Sequence, residues 1–204
     1  MTNTENCLAD VPFRSNGKSA RFFNDRVEFN GQSILYNDIE TLVTNGATTI
    51  HTYFGIPVAR SFDGVVSFKM DSGKTHYINM NAMTIFGIPI IRNPRKNEKL
   101  YPPLFDAVNS IVAKSMAQKY IDEIKRGATV EVAGLTIDSS EAISKAKASK
   151  LGAVINKENY HESRIAHIHS VSVYDKQGEM LWSSSVWSYK NILLIPYILD
   201  AIFG

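Results

Sequence analysis

The sequence predicts an α+β chain, mostly antiparallel β, organised as two tandem units that are each closed by a C-terminal helix. Three observations carry this. Short apolar runs alternate with charged neighbours and are punctuated by Asn-Gly and other glycine turns, the pattern of half-buried antiparallel strands. The apolar period becomes helical in residues 104–126 and again in residues 192–203. Finally, two short peptides recur in the same order. Val27-Glu28-Phe29-Asn30-Gly31 returns as Val130-Glu131-Val132-Ala133-Gly134, and Val66-Ser67-Phe68 with Gly73 returns as Val171-Ser172-Val173 with Gly178. Their similar offsets favour duplication, against two coincidental hairpins within one α+β domain.

In the first unit, residues 20–23 and 26–29 read as strands around Asn24-Asp25, and Val27 and Phe29 give the second of them one buried face. Asn30-Gly31 is a tight-turn signal, and residues 33–36 resume apolar character. Residues 48–53, 65–70 and 75–80 are further strands, the last two joined as a hairpin over Asp71-Ser72-Gly73. Pro102-Pro103 opens the long helix, whose apolar side includes Leu104, Val108, Val112, Met116 and Ile124. Lys125 and Arg126 suit its C-terminal end and Gly127 closes it. In the second unit, residues 129–132 form a strand leading into Ala133-Gly134, and residues 139–150 read as a linker rich in Lys, Ala and Ser. Residues 165–174 and 180–187 are strands around a turn at 175–178, and residues 192–203 form the closing helix. The boundary falls at Gly127. Residues 1–127 form the first unit with its N-terminal tail, and residues 128–204 the second, shorter by about the segment 84–100.

Composition removes several classes. With 44% hydrophobic residues and a net charge of +2, the chain has the apolar content for a packed core and lacks the basic excess of a nucleic-acid binder. One cysteine excludes an internal disulfide framework and a paired-cysteine zinc site. Residues 1–11 are polar and lack the basic-then-apolar layout of a secretory signal, and the apolar run 192–203 is short and broken by Pro196 and Asp200. The expectation is a cytoplasmic protein with room for a peripheral membrane association and no cofactor.

One peptide nearly repeats within the first unit. Thr52-Tyr53-Phe54-Gly55-Ile56-Pro57-Val58-Ala59-Arg60 is echoed by Thr84-Ile85-Phe86-Gly87-Ile88-Pro89-Ile90-Ile91-Arg92. Glycine admits unusual backbone angles and proline removes a ladder donor, so each copy is a turn, bulge or strand edge. Two readings stay open. The segments pack on each other or plug a barrel mouth, or they expose Phe54, Ile56, Phe86 and Ile88 as a patch for a partner. In the second reading Arg60, Arg92, Arg95, Lys96 and Lys99 flank the patch, and apolar tips ringed by cations suit an anionic membrane.

Six or seven antiparallel strands closed by an amphipathic helix resemble the pleckstrin-homology-like barrel. More particularly, Phe54-Gly55-Ile56-Pro57, the helix after it, and Gly127 through Gly134-Leu135-Thr136-Ile137 resemble bacterial pleckstrin-homology-like domain proteins of unassigned function. The resemblance spans most of residues 19–204 and implies two tandem barrels. Residues 139–150 depart from it, because a barrel strand is expected where that pattern is weak.

His167 and His169 lie two apart, so on a strand both face one side, and with His161 or Glu162 they are weak metal candidates beside a blander pair of solvated histidines. The basic run Lys145, Lys147 and Lys150 needs only a solvated loop. No nucleophile elbow, phosphate loop or dinucleotide fingerprint occurs, and Cys7 sits in a tail unsuited to a preorganised nucleophile. The expected function is therefore a non-enzymatic binding or scaffolding module. It would bind protein or a second copy of itself through a sheet edge or the Phe-Gly-Ile-Pro loops; the alternatives are a peripheral anionic-membrane binder and an enzyme assembled from distant residues.

Overall fold

In the computed structural model, residues 6–14, 17–141, 143–150, 153–166, 170–186 and 189–204 are described. The class is α+β with antiparallel sheets, as the alternating runs predict. Two compact units, Met1–Val112 and Ala113–Gly204, divide the chain inside the predicted long helix rather than at Gly127.

The first unit opens with a four-stranded meander, β1 (Ala9–Pro12), β2 (Ser19–Phe22), β3 (Arg26–Phe29) and β4 (Gln32–Leu35). Ala20, Phe22, Val27, Phe29 and Ile34 alternate inward and are buried, which is the period-two pattern of a one-sided sheet. Tyr36 turns the chain after β4, and its buried hydroxyl donates toward the Arg26 carbonyl oxygen at 2.6 Å. Burial pushes that phenol well above its ordinary pKa, so it stays a neutral donor.

The second sheet carries two strands of 15 residues each, β5 (Ile39–Tyr53) and β6 (Ile56–Met70). β7 (Thr75–Asn79) pairs with the distal end of β6. β8 (Ala82–Ile85) and β9 (Ile88–Ile91) continue the sheet from the beginning of β6 in the order β5-β6-β8-β9. The sheets remain open ladders of four and five strands, and among the described residues no pairing closes a barrel.

Helix α1 (Pro94–Ala107) begins eight residues earlier than Pro102. Asn93 caps it by accepting the Arg95 amide, and Pro94 occupies the first turn, where its missing N–H is harmless. Pro102 and Pro103 therefore lie inside the helix, which persists because Tyr101, Leu104 and Phe105 are buried around them. The helix then widens into a π-helical segment, Val108–Ala113.

The second unit starts with α2 (Lys114–Lys125). It ends as its sequence predicts: Gly127 has φ +85°, its amide donates to the Ile124 carbonyl, and Ala128 donates to the Glu123 carbonyl. A meander of β10 (Val130–Val132), β11 (Leu135–Asp138), β12 (Lys147–Lys150) and β13 (Ala153–Asn156) follows, so the segment 139–150 holds a strand where a linker is expected. β14 (Tyr160–Ala166), β15 (Ser170–Asp175) and β16 (Met180–Ser185) form a three-stranded sheet. The single strand expected over 165–174 is thus the end of one strand and the start of its antiparallel partner, with Ile165 opposite Val171. Apolar and polar residues alternate through most of 165–174, and an unbroken alternation does not say where the chain reverses. Helix α3 (Ile195–Phe203) buries Ile198, Leu199 and Phe203, and the Tyr160 hydroxyl donates to its Asp200 carboxylate.

The first unit runs a four-stranded meander, a five-stranded sheet and a helix; the second runs a helix, a four-stranded meander, a three-stranded one and a closing helix. The recurrent Val-Ser-apolar peptide lies at the same place in each, on β6 and β15. The other recurrent peptide lies on the last hairpin of one meander and the first of the other, β3–β4 and β10–β11.

A two-fingered apolar tip

The near-repeated peptide builds two β-hairpins that end the same sheet at the same end. In the first, Tyr53 pairs with Ile56 across a two-residue turn of Phe54 (φ +47°) and Gly55 (φ +78°). In the second, Ile85 pairs with Ile88 across Phe86 (φ +48°) and Gly87 (φ +79°). Positive φ at both central positions is the type I′ turn that two-residue hairpins favour. The Phe86 amide donates to the Val58 carbonyl at 2.7 Å, which fixes the second tip beside the flank of the first. The first finger then runs on about three residues farther, roughly 10 Å at strand rise.

The patch is exposed, so the reading in which the segments pack away does not hold. Phe54 is 88% exposed, Phe86 77%, Ile56 67% and Ile88 65%. In β5 every residue from Thr48 to Tyr53 is exposed, and in β9 all four are. Strand side chains alternate between faces, so consecutive exposed residues mean that neither face of the finger is covered.

The base of the fingers is held by the proximal sheet and α1. Gly46 and Gly64 are cross-strand partners. A Cβ at Gly46 would stand 2.2 Å from the ring of Tyr101, so the glycine leaves the notch in which that buried ring lies. Tyr101 stacks edge-on against Phe62 with ring centroids 5.7 Å apart. One helical turn earlier, Glu98 receives both hydrogen bonds of a fork from Arg60, at 2.7 Å from Nη2 to Oε2 and 3.2 Å from Nε to Oε1, and Thr48 Oγ1 adds a third donor at 2.5 Å. This clamp stands where β5 passes from buried to wholly exposed.

The flanking cations divide into two kinds. Arg60 is committed to Glu98 and is no free cation of the patch. Arg92 (φ +51°) donates from Nη1 to the Asn79 carbonyl at 3.0 Å, and desolvation and the Arg14 guanidinium lower its pKa. Arg95, Lys96 and Lys99 are exposed on the first turns of α1 and form no ion pair among the described residues. No acidic residue lies between Glu40 and Asp63 or between Asp71 and Glu98. The surroundings of the tip are therefore cationic. A cleft of about 440 Å³ between the finger bases and the helix start is lined by Ile50, Pro57, Arg60, Thr84 and Arg95, among others.

Sequence reasoning missed Tyr53, Ile85, Ile90 and Ile91 as members of the patch, and Glu98 as its anchor. The signal for the former was present, since Gly at the second position between aromatic or β-branched flanks is an X-Gly hairpin signature. Glu98 carried none, because its partner is 38 residues away. His167 and His169 lie outside the described residues, among which no three His, Cys, Asp or Glu side chains gather as a metal site. Cys7 is exposed and donates to the Ala9 carbonyl. No described helix is long and apolar enough to cross a membrane. Comparison with known proteins adds no relative: no family model, curated protein or solved structure matches the chain.

Proposed function

We propose that this chain is a non-enzymatic binding module, two pleckstrin-homology-like units in tandem, whose contact element is the two-fingered tip of the first unit. One observation carries the reading. Both turns place a phenylalanine in the left-handed backbone region, at φ +47° and +48°, with the ring in solvent. For an L-residue that conformation costs roughly 1–2 kcal/mol, and a bulky side chain there is an outlier. A ring exposed to this degree adds nothing to the buried core. A residue that is poor for the turn and useless to the core, used twice in the same setting, fits a surface kept for contact.

A footprint tests the reading without knowing the occupant. In a Cys7→Ser background, Ile56→Cys or Ile88→Cys is labelled with a small polar maleimide, in freshly broken cells and after purification. The control is Lys74→Cys on the exposed β6–β7 turn. Protection of positions 56 and 88 in the cell material, with free reaction once purified and an unprotected control, is the expected result. Equal labelling of all three positions in both settings overturns the assignment.

A further inference from the structure

Resting on that assignment, we propose that the tip's occupant is an anionic lipid bilayer, entered by the longer finger first. The argument begins with the shape. A finger uncovered on both faces offers its apolar end, Tyr53, Phe54, Ile56 and Pro57, to contact from every side, whereas a flat protein interface needs only one face. At its end stand Tyr53, Phe54 and Ile56, with the Tyr53 and Phe54 rings edge-to-face at 4.5 Å. Tyrosine beside phenylalanine and isoleucine is the composition of a membrane–water boundary, where an amphipathic ring sits at headgroup level.

Depth follows from the stagger. The first finger overhangs the second by roughly 10 Å, about the depth to which interfacial apolar segments enter the headgroup–acyl boundary. With the first tip immersed, Phe86 and Ile88 arrive at the surface. Immersion reaches only the headgroup–acyl boundary, where water still meets the backbone groups of the turn. β9 then leads back four residues, about 13 Å, to the start of α1 and its three exposed cations. As the second tip enters, those cations come within about a Debye length of the lipid phosphates. Charge complementarity selects the lipid: Glu98 is neutralised by Arg60, and no carboxylate lies in residues 41–62 or 72–97, which hold both finger tips and the connection to the helix. A neutral bilayer would leave Arg95, Lys96 and Lys99 without a counter-charge, and an acidic one supplies it.

The test is co-sedimentation of the full chain with vesicles of phosphatidylcholine, alone or mixed with phosphatidylserine, at low and high salt. Binding to the mixed vesicles that weakens with salt is expected. F54N/F86N keeps a residue suited to the turn and should lose at least about tenfold in affinity. R95S/K96S/K99S should also lose at least about tenfold, since each cation near an anionic surface contributes roughly fivefold. Melting curves of both variants establish that they fold. Equal binding to neutral and acidic vesicles overturns the proposal, as does full binding by either variant. Displacement by soluble glycerophosphoserine also overturns it, because that result assigns a headgroup pocket instead. Absence of vesicle binding with the footprint intact overturns the bilayer and leaves the tip as a protein-binding surface. Absence of both overturns the tip assignment as well.

Discussion

The hairpin over Asn30-Gly31 and the two finger tips are one turn built from different residues. Their central backbone angles agree closely: φ +50° and +74° at Asn30-Gly31, +47° and +78° at Phe54-Gly55, +48° and +79° at Phe86-Gly87. Asparagine is at home in that conformation, because its short polar side chain bonds locally. Phenylalanine is not. The Asn30 turn thus agrees with its local chemistry and closes a sheet whose inner face is packed. The finger turns conflict with theirs and close strands whose faces are bare. Where local preference and the fold disagree and no packing compensates, the place to look for the compensation is outside the chain.

That contrast can be broken most severely at the platform. Tyr101→Ala removes the ring from the notch at Gly46 and should destabilise the first unit by about 3–5 kcal/mol. A loss much smaller than that, measured by denaturant unfolding, would mean that the helix is not held there. A smaller effect is expected at the clamp. Glu98→Ala leaves Arg60 and Thr48 without their shared acceptor and should cost about 1–3 kcal/mol. Amide exchange should accelerate in residues 48–60 but not around Asn30-Gly31; uniform acceleration would show that the clamp supports the whole unit rather than the fingers.

The sharpest version is the smallest. F54N/F86N gives the fingers the chemistry of the Asn30 turn and should stabilise the protein by about 1 kcal/mol, a rise of roughly 2–4 °C in its melting midpoint. A fall in the midpoint would show that the rings pack after all. Stabilisation together with lost vesicle binding would show a turn strained for the sake of its contact.

Much of the local structure was legible because its causes are local. Asn30-Gly31 and Asp71-Ser72-Gly73 make the hairpins they announce, and Gly127 ends α2 by the backbone bonds its position predicts. The Phe-Gly-Ile-Pro echo reads as a turn, bulge or strand edge, and the structure makes Phe-Gly a turn in both copies. Reading failed where the cause was distant. Pro102-Pro103 looked like a helix start because two prolines favour a first turn, yet burial of Tyr101, Leu104 and Phe105 outweighs the lost hydrogen bonds. The stretch 165–174 hid a chain reversal because its apolar–polar alternation continues without a glycine, proline or asparagine to mark a turn.

By itself, then, the sequence determined several tight turns and the strands beside them, the C-terminal end of α2, and that the region around the echoed peptide is basic. Only the tertiary structure decided that the echo is exposed. Exposure is set by what else arrives: Tyr101 fills the notch at Gly46, Glu98 reaches Thr48 and Arg60, and the cover stops there. Turn geometry is a property of a few adjacent residues. Burial is a property of segments dozens of residues apart, and the limit of one helix's reach left the fingers bare.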